Sequence, residues 1–204
     1  DTANDNYGPL LFISNANGKY IKTLSTGTFS TDFINYSKNQ SVFMKKLQRG
    51  ISDNMSYRPY FNDYGQGIID NVKKLKPSID YIYGGNIDQL YNKYRLIVID
   101  MPYTALGNIL ALDKPSILML EKDNYFYNPK YSHVFELLYI AGILHYCPIK
   151  AADFVNRVFD KPNKWWNSDD VRNARAEYVK YFANNDSNYS SIWAGNLLYE
   201  YNNN

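Results

Sequence analysis

Cysteine is almost absent. Cys147 stands alone among 204 residues, so there is no internal disulfide framework and a reducing compartment is expected. Histidine is nearly as scarce: His133 and His145 are the only two. Neither has a second ligand at metal-binding spacing, so no metal site is expected. Nothing near Cys147 in sequence would activate its thiol, which argues against a Cys/His nucleophile pair. A glycine-rich phosphate loop is missing as well. Gly65-Gln66-Gly67 lacks the third glycine and follows no obvious strand, which argues against hydride transfer from a dinucleotide. The net charge is only +2 and no block of like charges occurs, so neither nucleic acid nor an anionic membrane is an expected partner. No apolar run approaches the ~20 residues of a membrane span, and no stretch reads as a secretory leader. The expectation is a soluble, intracellular chain with no transmembrane segment.

What is present supports a sizeable core: 45% of residues are hydrophobic and 17% aromatic, with 21 tyrosines. The tyrosine content fits either a compositional bias or stacking on sugars. The most informative stretch is Arg95–Leu120. Leu96–Ile99 is a continuous apolar run, the pattern of a strand buried on both faces. Asp100 ends it, and Pro102 stands where the first turn of a helix favours proline. Leu106, Ile109 and Leu110 recur at helical spacing, Asp113-Lys114-Pro115 breaks the helix, and Ser116–Leu120 reads as a second buried strand. This is a strand–helix–strand unit with parallel strands and a right-handed crossover.

The same reading predicts strands at Leu10–Ile13, Met55–Arg58, Ile79–Tyr83 and Ile143–Tyr146. Helices are predicted over Ser41–Gly50, Tyr64–Lys76, Ile87–Tyr94, Ser132–Gly142, Ile149–Phe159, Ser168–Phe182 and Tyr189–Tyr201. Long loops are expected at Asn15–Asn39 and Glu121–Tyr131. Both follow the carboxyl ends of strands, so both are expected to line a ligand cleft. Strands alternating with helices, then helices alone, predict an α/β fold: a Rossmann-like, doubly wound parallel sheet with a helical C-terminal tail. One domain is expected over 1–204, with a sheet core at 8–160 and C-terminal helices at 161–204.

Two features of this frame suit an anion. The helix start at Pro102, Tyr103, Thr104 and Ala105 offers free amides and a positive dipole end, although Asp100 beside it is expected to cap the helix. An ordinary capped core helix is the competing explanation. Arg58 ends a strand just before Pro59, where the chain turns out of the sheet. Its guanidinium suits a phosphate bidentately or, equally, a surface ion pair.

Several stretches resemble a known family. They are Leu96–Leu120 (LIVIDMPYTALGNILALDKPSILML), Phe135–His145 (FELLYIAGILH) and Trp165–Tyr178 (WWNSDDVRNARAEY), with looser matches at Leu10–Tyr20 and Phe33–Leu47. Together they resemble the C-terminal half of a family of bacterial transferases found with surface-polysaccharide genes. That family is similar to GT-B glycosyltransferases and distantly to CDP-glycerol glycerophosphotransferases. The resemblance implies a donor-nucleotide-binding half of a GT-B fold, with a nucleotide-activated sugar or similar donor as substrate and no metal or resident cofactor. It also implies a partner domain on the N-terminal side and a cytoplasmic location, or a peripheral one at the inner membrane. Arg58, in Tyr57-Arg58-Pro59-Tyr60, matches a basic residue of the family. Asp100, Pro102 and Thr104 match an Asp-x-Pro-x-Thr pattern at the helix start. The family pattern has a small residue where Tyr103 stands, Ser or Thr where Ala105 stands, and Glu where Asn108 stands. That Glu would grip the donor ribose, whereas Asn108 forms hydrogen bonds without charge. The resemblance thus implies a nucleotide and phosphate site at Arg58, Tyr103, Thr104, Ala105 and Asn108. Two alternatives remain open: a non-catalytic binding module that kept the fold, and a relative of nucleotide-sugar epimerases. The last helix carries Ile192, Trp193 and Leu197 on one side, and the resemblance places it against the partner domain.

Overall fold

The structure, a computed structural model, describes residues 8–15, 30–60, 65, 67–85, 87–122, 125, 128–183 and 189–203. In chain order its elements are β1 (Leu10–Ile13), α1 (Ser30–Lys46), α2 (Arg49–Asp53), β2 (Ser56–Arg58), α3 (Ile68–Leu75), β3 (Asp80–Tyr81), α4 (Ile87–Tyr91) and β4 (Leu96–Ile99). There follow α5 (Thr104–Ala111), β5 (Ser116–Met119), α6 (Ser132–Ile140), β6 (Leu144–His145), α7 (Pro148–Val158), α8 (Pro162–Trp166), α9 (Asp169–Phe182) and α10 (Tyr189–Asn203). The six strands form one sheet in the order β3-β2-β1-β4-β5-β6, and every pairing is parallel. This is a Rossmann-like α/β fold with a helical C-terminal segment.

Alternation along the central strands explains why both faces are covered. Leu10, Phe12, Leu96, Val98, Ile117 and Met119 point to one side, against Phe43 and Met44 of α1, Val72 of α3 and Val155 of α7. Leu11, Ile13, Ile97, Ile99 and Leu118 point to the other, against Leu106 and Ile109 of α5 and Phe135 and Leu138 of α6. Strands apolar at every position need helices on both faces. On the second face α9 packs outside α5 and α6, adding Val171, Ala174 and Tyr178 to that core.

Four expectations from the sequence change. The segment expected as loop up to Asn39 is helical from Ser30, and α1 runs to Lys46. Tyr36, Gln40, Phe43 and Leu47 of this segment are all buried. Their spacing of four, three and four residues places them on one helical face. Of that expected loop, residues 16–29 lie outside the described residues. Gly50 does not close a helix but lies inside α2; Asn156 of α7 bridges the gap between α1 and α2, accepting from Gln48 N at 2.8 Å and donating to the Lys46 carbonyl at 3.0 Å. Pro102 precedes the helix, because α5 starts at Thr104. The edge strands β3 and β6 are two residues each, shorter than their apolar runs.

Among the described residues no helix is long and apolar enough to cross a membrane. In α10 the expected apolar side stays uncovered, with Trp193 65% exposed and Leu197 62%.

The end of α6 yields a stability prediction. Gly142 has φ +74°. Its N–H bonds the Tyr139 carbonyl at 3.1 Å, and Ile143 N–H bonds that of Leu138 at 2.8 Å. This is a Schellman stop, sealed by contact between the buried Ile143 and Leu138. A Cβ on Gly142 would meet the Phe154 ring at 2.8 Å, whereas one on Gly50 would meet nothing within 4 Å. Gly142→Ala is expected to lower the unfolding free energy by about 1–3 kcal/mol, and Gly50→Ala to leave it unchanged or raise it by up to about 1 kcal/mol. Urea unfolding of the two variants checks the contrast.

Candidate functional site

From β1 the sheet grows in one direction through β2 and β3, and from β4 in the other through β5 and β6. The carboxyl ends of β1 and β4 therefore flank the topological switch point, where ligands of such sheets bind. Asp100 sits there, directly after β4, and is 3% exposed. Its Oδ1 accepts from Asn15 N, just past β1, at 3.0 Å. Its Oδ2 accepts from the Tyr36 hydroxyl at 2.6 Å and from Gln40 Nε2 at 2.7 Å, both on α1. Gln40 Nε2 also donates to Ser14 Oγ at 2.8 Å, and the Tyr57 hydroxyl of β2 donates to Gln40 Oε1 at 3.3 Å. One network thus joins β1, β2, β4 and α1.

Asp100 is not the cap of α5. The capping position is Tyr103, whose side chain makes no capping hydrogen bond, and the carboxylate is held by donors from β1 and α1. Burial pushes its pKa up from 3.8 to about 7, against the opposing pull of the Tyr36, Gln40 and Asn15 hydrogen bonds. Burial and the Asp100 charge also push the Tyr36 phenol well above its ordinary value. The geometry accommodates both forms of the acid. With Asp100 ionised, Tyr36 donates to it. With Asp100 neutral, its proton bonds the Tyr36 oxygen and the Tyr36 hydroxyl turns to the Asn15 carbonyl at 2.9 Å.

Among the described residues, two concavities adjoin the switch point. One, lined by Tyr36, Asp100, Met101, Glu121 and Tyr146, has a volume of about 20 Å³, enough for a single water. The other is a groove of about 530 Å³ running along α5 toward the end of α9. Pro102, Tyr103, Thr104, Gly107, Asn108 and Ala111 line one side, and Tyr178, Phe182 and Ala183 the other. Of the residues expected to form a site, Tyr103, Thr104 and Asn108 come together on this groove. Ala105 is half-buried beside them. The uncapped first turn leaves its amides available to an anion.

Arg58 is not with them. Its Nη1 donates to the Gly84 carbonyl at 2.7 Å, toward β3. Strand β2 lies two places from β4, about 10 Å in strand spacings. His145 is structural: burial pushes it down to about 4, its Nε2 bonds the Gly142 carbonyl at 2.9 Å and its ring lies against Phe154. Of the expected Glu121–Tyr131 loop, residues 123, 124, 126 and 127 lie outside the described residues. The sequence reading missed Tyr36, Gln40, Tyr178 and Phe182; helical spacing on α1 is the one signal that would have exposed the first two.

Asp100 carries a pH prediction. Its folded pKa lies above the unfolded value, so the fold binds a proton more tightly than the unfolded chain does between about pH 4 and pH 7. The stability this contributes is full below pH 4 and is lost as pH rises to 7. Asp100→Asn does not titrate there. The stability of the wild type relative to Asp100→Asn is expected to fall between pH 4.5 and 7.5, measured by urea unfolding; a constant difference would contradict the assignment.

No curated protein matches the chain. The family model described as LIC12162 family transferase does, over residues 1–197. On that match, which spans the whole sheet and the helices around the groove, the chain belongs to the LIC12162 family of transferases.

Proposed function

We propose that this chain is the donor-nucleotide-binding domain of a GT-B-like glycosyltransferase, or a related transferase, acting in bacterial surface-polysaccharide biosynthesis. One observation carries the reading: the uncapped N-terminus of α5 opens, beside the switch point, on a groove of about 530 Å³. Volumes of this order suit small-molecule ligands, and helix N-terminal amides suit their phosphates. The donor phosphate lies against the amides of Tyr103 to Ala105 with the Thr104 hydroxyl beside them, and Asn108 meets the ribose. Arg58 leaves the Gly84 carbonyl and swings across β1 to the outer phosphate. Transfer then rests on positioning and on stabilising the leaving phosphate. The acceptor and the base that activates it belong to a second domain.

A non-catalytic binding module is the second reading. Arg58 tied to Gly84 and the uncharged Asn108 in place of a carboxylate favour it.

Calorimetry with CMP, CDP, UDP and GDP tests the site. A hydrogen bond to a charged group is worth roughly 1.5–3 kcal/mol, so Arg58→Ala is expected to weaken binding of a diphosphate about ten- to a hundredfold. Asn108→Glu is expected to tighten it through the ribose hydroxyls. Equal binding by wild type and Arg58→Ala removes Arg58 from the site. Tight binding without any transfer in the presence of the second domain favours the non-catalytic module.

A further inference from the structure

We infer that the edge of the sheet at which the strands begin is a docking surface for an anionic lipid bilayer, held by a band of lysines that the fold gathers there. The inference is independent of the nucleotide reading and concerns the edge opposite the switch point.

In a parallel sheet each covering helix starts beyond the carboxyl ends of the strands and returns to their amino ends. The last turns of α1, α3 and α7, and the segments leading from helices into strands, therefore meet at the amino edge. Helix α1 ends in Lys45 and Lys46, α3 carries Lys73 and Lys74 in its last turn, and all four are exposed. Lys93, before β4, and Lys161 and Lys164, after α7, are exposed at the same edge. Hydrogen bonds fasten these segments together. Asn156 of α7 donates to the Lys46 carbonyl at 3.0 Å, and Lys76 Nζ to the Ser52 carbonyl of α2 at 2.9 Å. Arg95 Nη1 donates to the Phe159 carbonyl, just past α7, at 3.4 Å.

More than half of the chain's 22 lysines and arginines lie at this edge, although the net charge of the whole is only +2. They are scattered between Lys45 and Lys164 in sequence, which is why no block of like charges marks them. The acids nearby do not balance them. Asp53 is shared by Arg49 and Lys76, at 3.4 and 3.8 Å. Asp113 is taken by Arg175, and Asp169 lies 3.9 Å from Arg172. Asp80, Asp160 and Asp170 offset only part of the rest. Helix dipoles account for basic residues in last turns, but not for Lys93, Lys114 and Lys161, which lie outside the helices.

The shape of the band selects the partner. Helix ends side by side along six strands spread the charge over about 25 Å. None of these basic residues lines either concavity, so a chain-like polyanion has no groove among them to lie in. A flat field of lipid phosphates needs none, and each lysine near such a surface strengthens binding about fivefold. Docked by this edge, the chain keeps the carboxyl ends of its strands, with the start of α5, turned away from the lipid.

The test is sedimentation of the full chain with vesicles of phosphatidylglycerol and phosphatidylcholine in equal parts, or of phosphatidylcholine alone. Two variants of equal net charge are compared with wild type. One changes Lys45, Lys46, Lys73 and Lys74 to Gln; the other changes Lys38, Lys122, Lys130 and Lys180, toward the carboxyl edge. Wild type is expected to bind the anionic vesicles at about 0.1 M salt, to leave them at about 0.5 M, and to ignore the neutral ones. The amino-edge variant is expected to bind about a hundredfold more weakly or worse, and the carboxyl-edge variant as wild type does. Thermal melting checks that both are folded; neutralising Lys45 and Lys46 alone, or Lys73 and Lys74 alone, is expected to weaken binding about tenfold or more. Equal loss in the two fourfold variants would reduce the effect to net charge and overturn the inference. Equal binding to neutral vesicles, as by the apolar side of α10, would also overturn it. So would displacement from the vesicles by mixed-sequence DNA at matched phosphate concentration, which would assign the edge to nucleic acid. The proposed function stands in each case.

Discussion

A carboxylate with almost no contact with water is the constraint on which the middle of this molecule depends. Asp100 would be unfavourable in the core by several kcal/mol without compensation. Three donors supply it: one is a backbone amide at the end of β1, and two are side chains of α1. These bonds fasten the two central strands to each other and to the helix covering them. Through Gln40 the arrangement extends to Tyr57, whose ring stacks on Phe12 at 5.6 Å. Polar and aromatic parts of the core are therefore one structure at this point. The crevice that ends the sheet is filled by this network, and the larger opening lies to one side, along α5.

How much of this could be read from the chain depends on how local the cause was. Strands β1 and β4 match their apolar runs residue for residue, because burial on both faces leaves no polar position to blur their ends. Helix α1 was hidden up to Ser41 because its inward face carries Tyr36 and Gln40 where a sequence pattern looks for aliphatic residues. The edges were overextended: Ile79–Tyr83 and Ile143–Tyr146 have strand-like composition, but only Asp80–Tyr81 and Leu144–His145 find a ladder partner. Asp100 was read as a cap because a cap is a local explanation. Its partners lie 85, 64 and 60 residues away, beyond any spacing argument.

The site was legible in a similar, uneven way. Tyr103, Thr104 and Asn108 share a helix start, so their common location follows from α5 alone. Arg58 sits at the end of its strand as the chain order implied, but strand order in the sheet separates it from α5, and strand order is a property of the whole fold. Tyr178 and Phe182 had no distinguishing mark, since an aromatic pair at helical spacing is an ordinary core signal. Their placement beside Asn108 exists only once α9 is laid across α5.

The wall that α9 contributes has a consequence of its own. This helix packs on α5 and α6 rather than within the sheet, and none of its side chains takes part in the hydrogen-bonded cluster around Asp100. The rim residues Phe182 and Ala183 thus belong to a part of the chain whose changes leave strand pairing untouched. The outer end of α9 and the strand pairing are thus carried by separate elements, and descendants of this chain are free to vary the first while conserving the second.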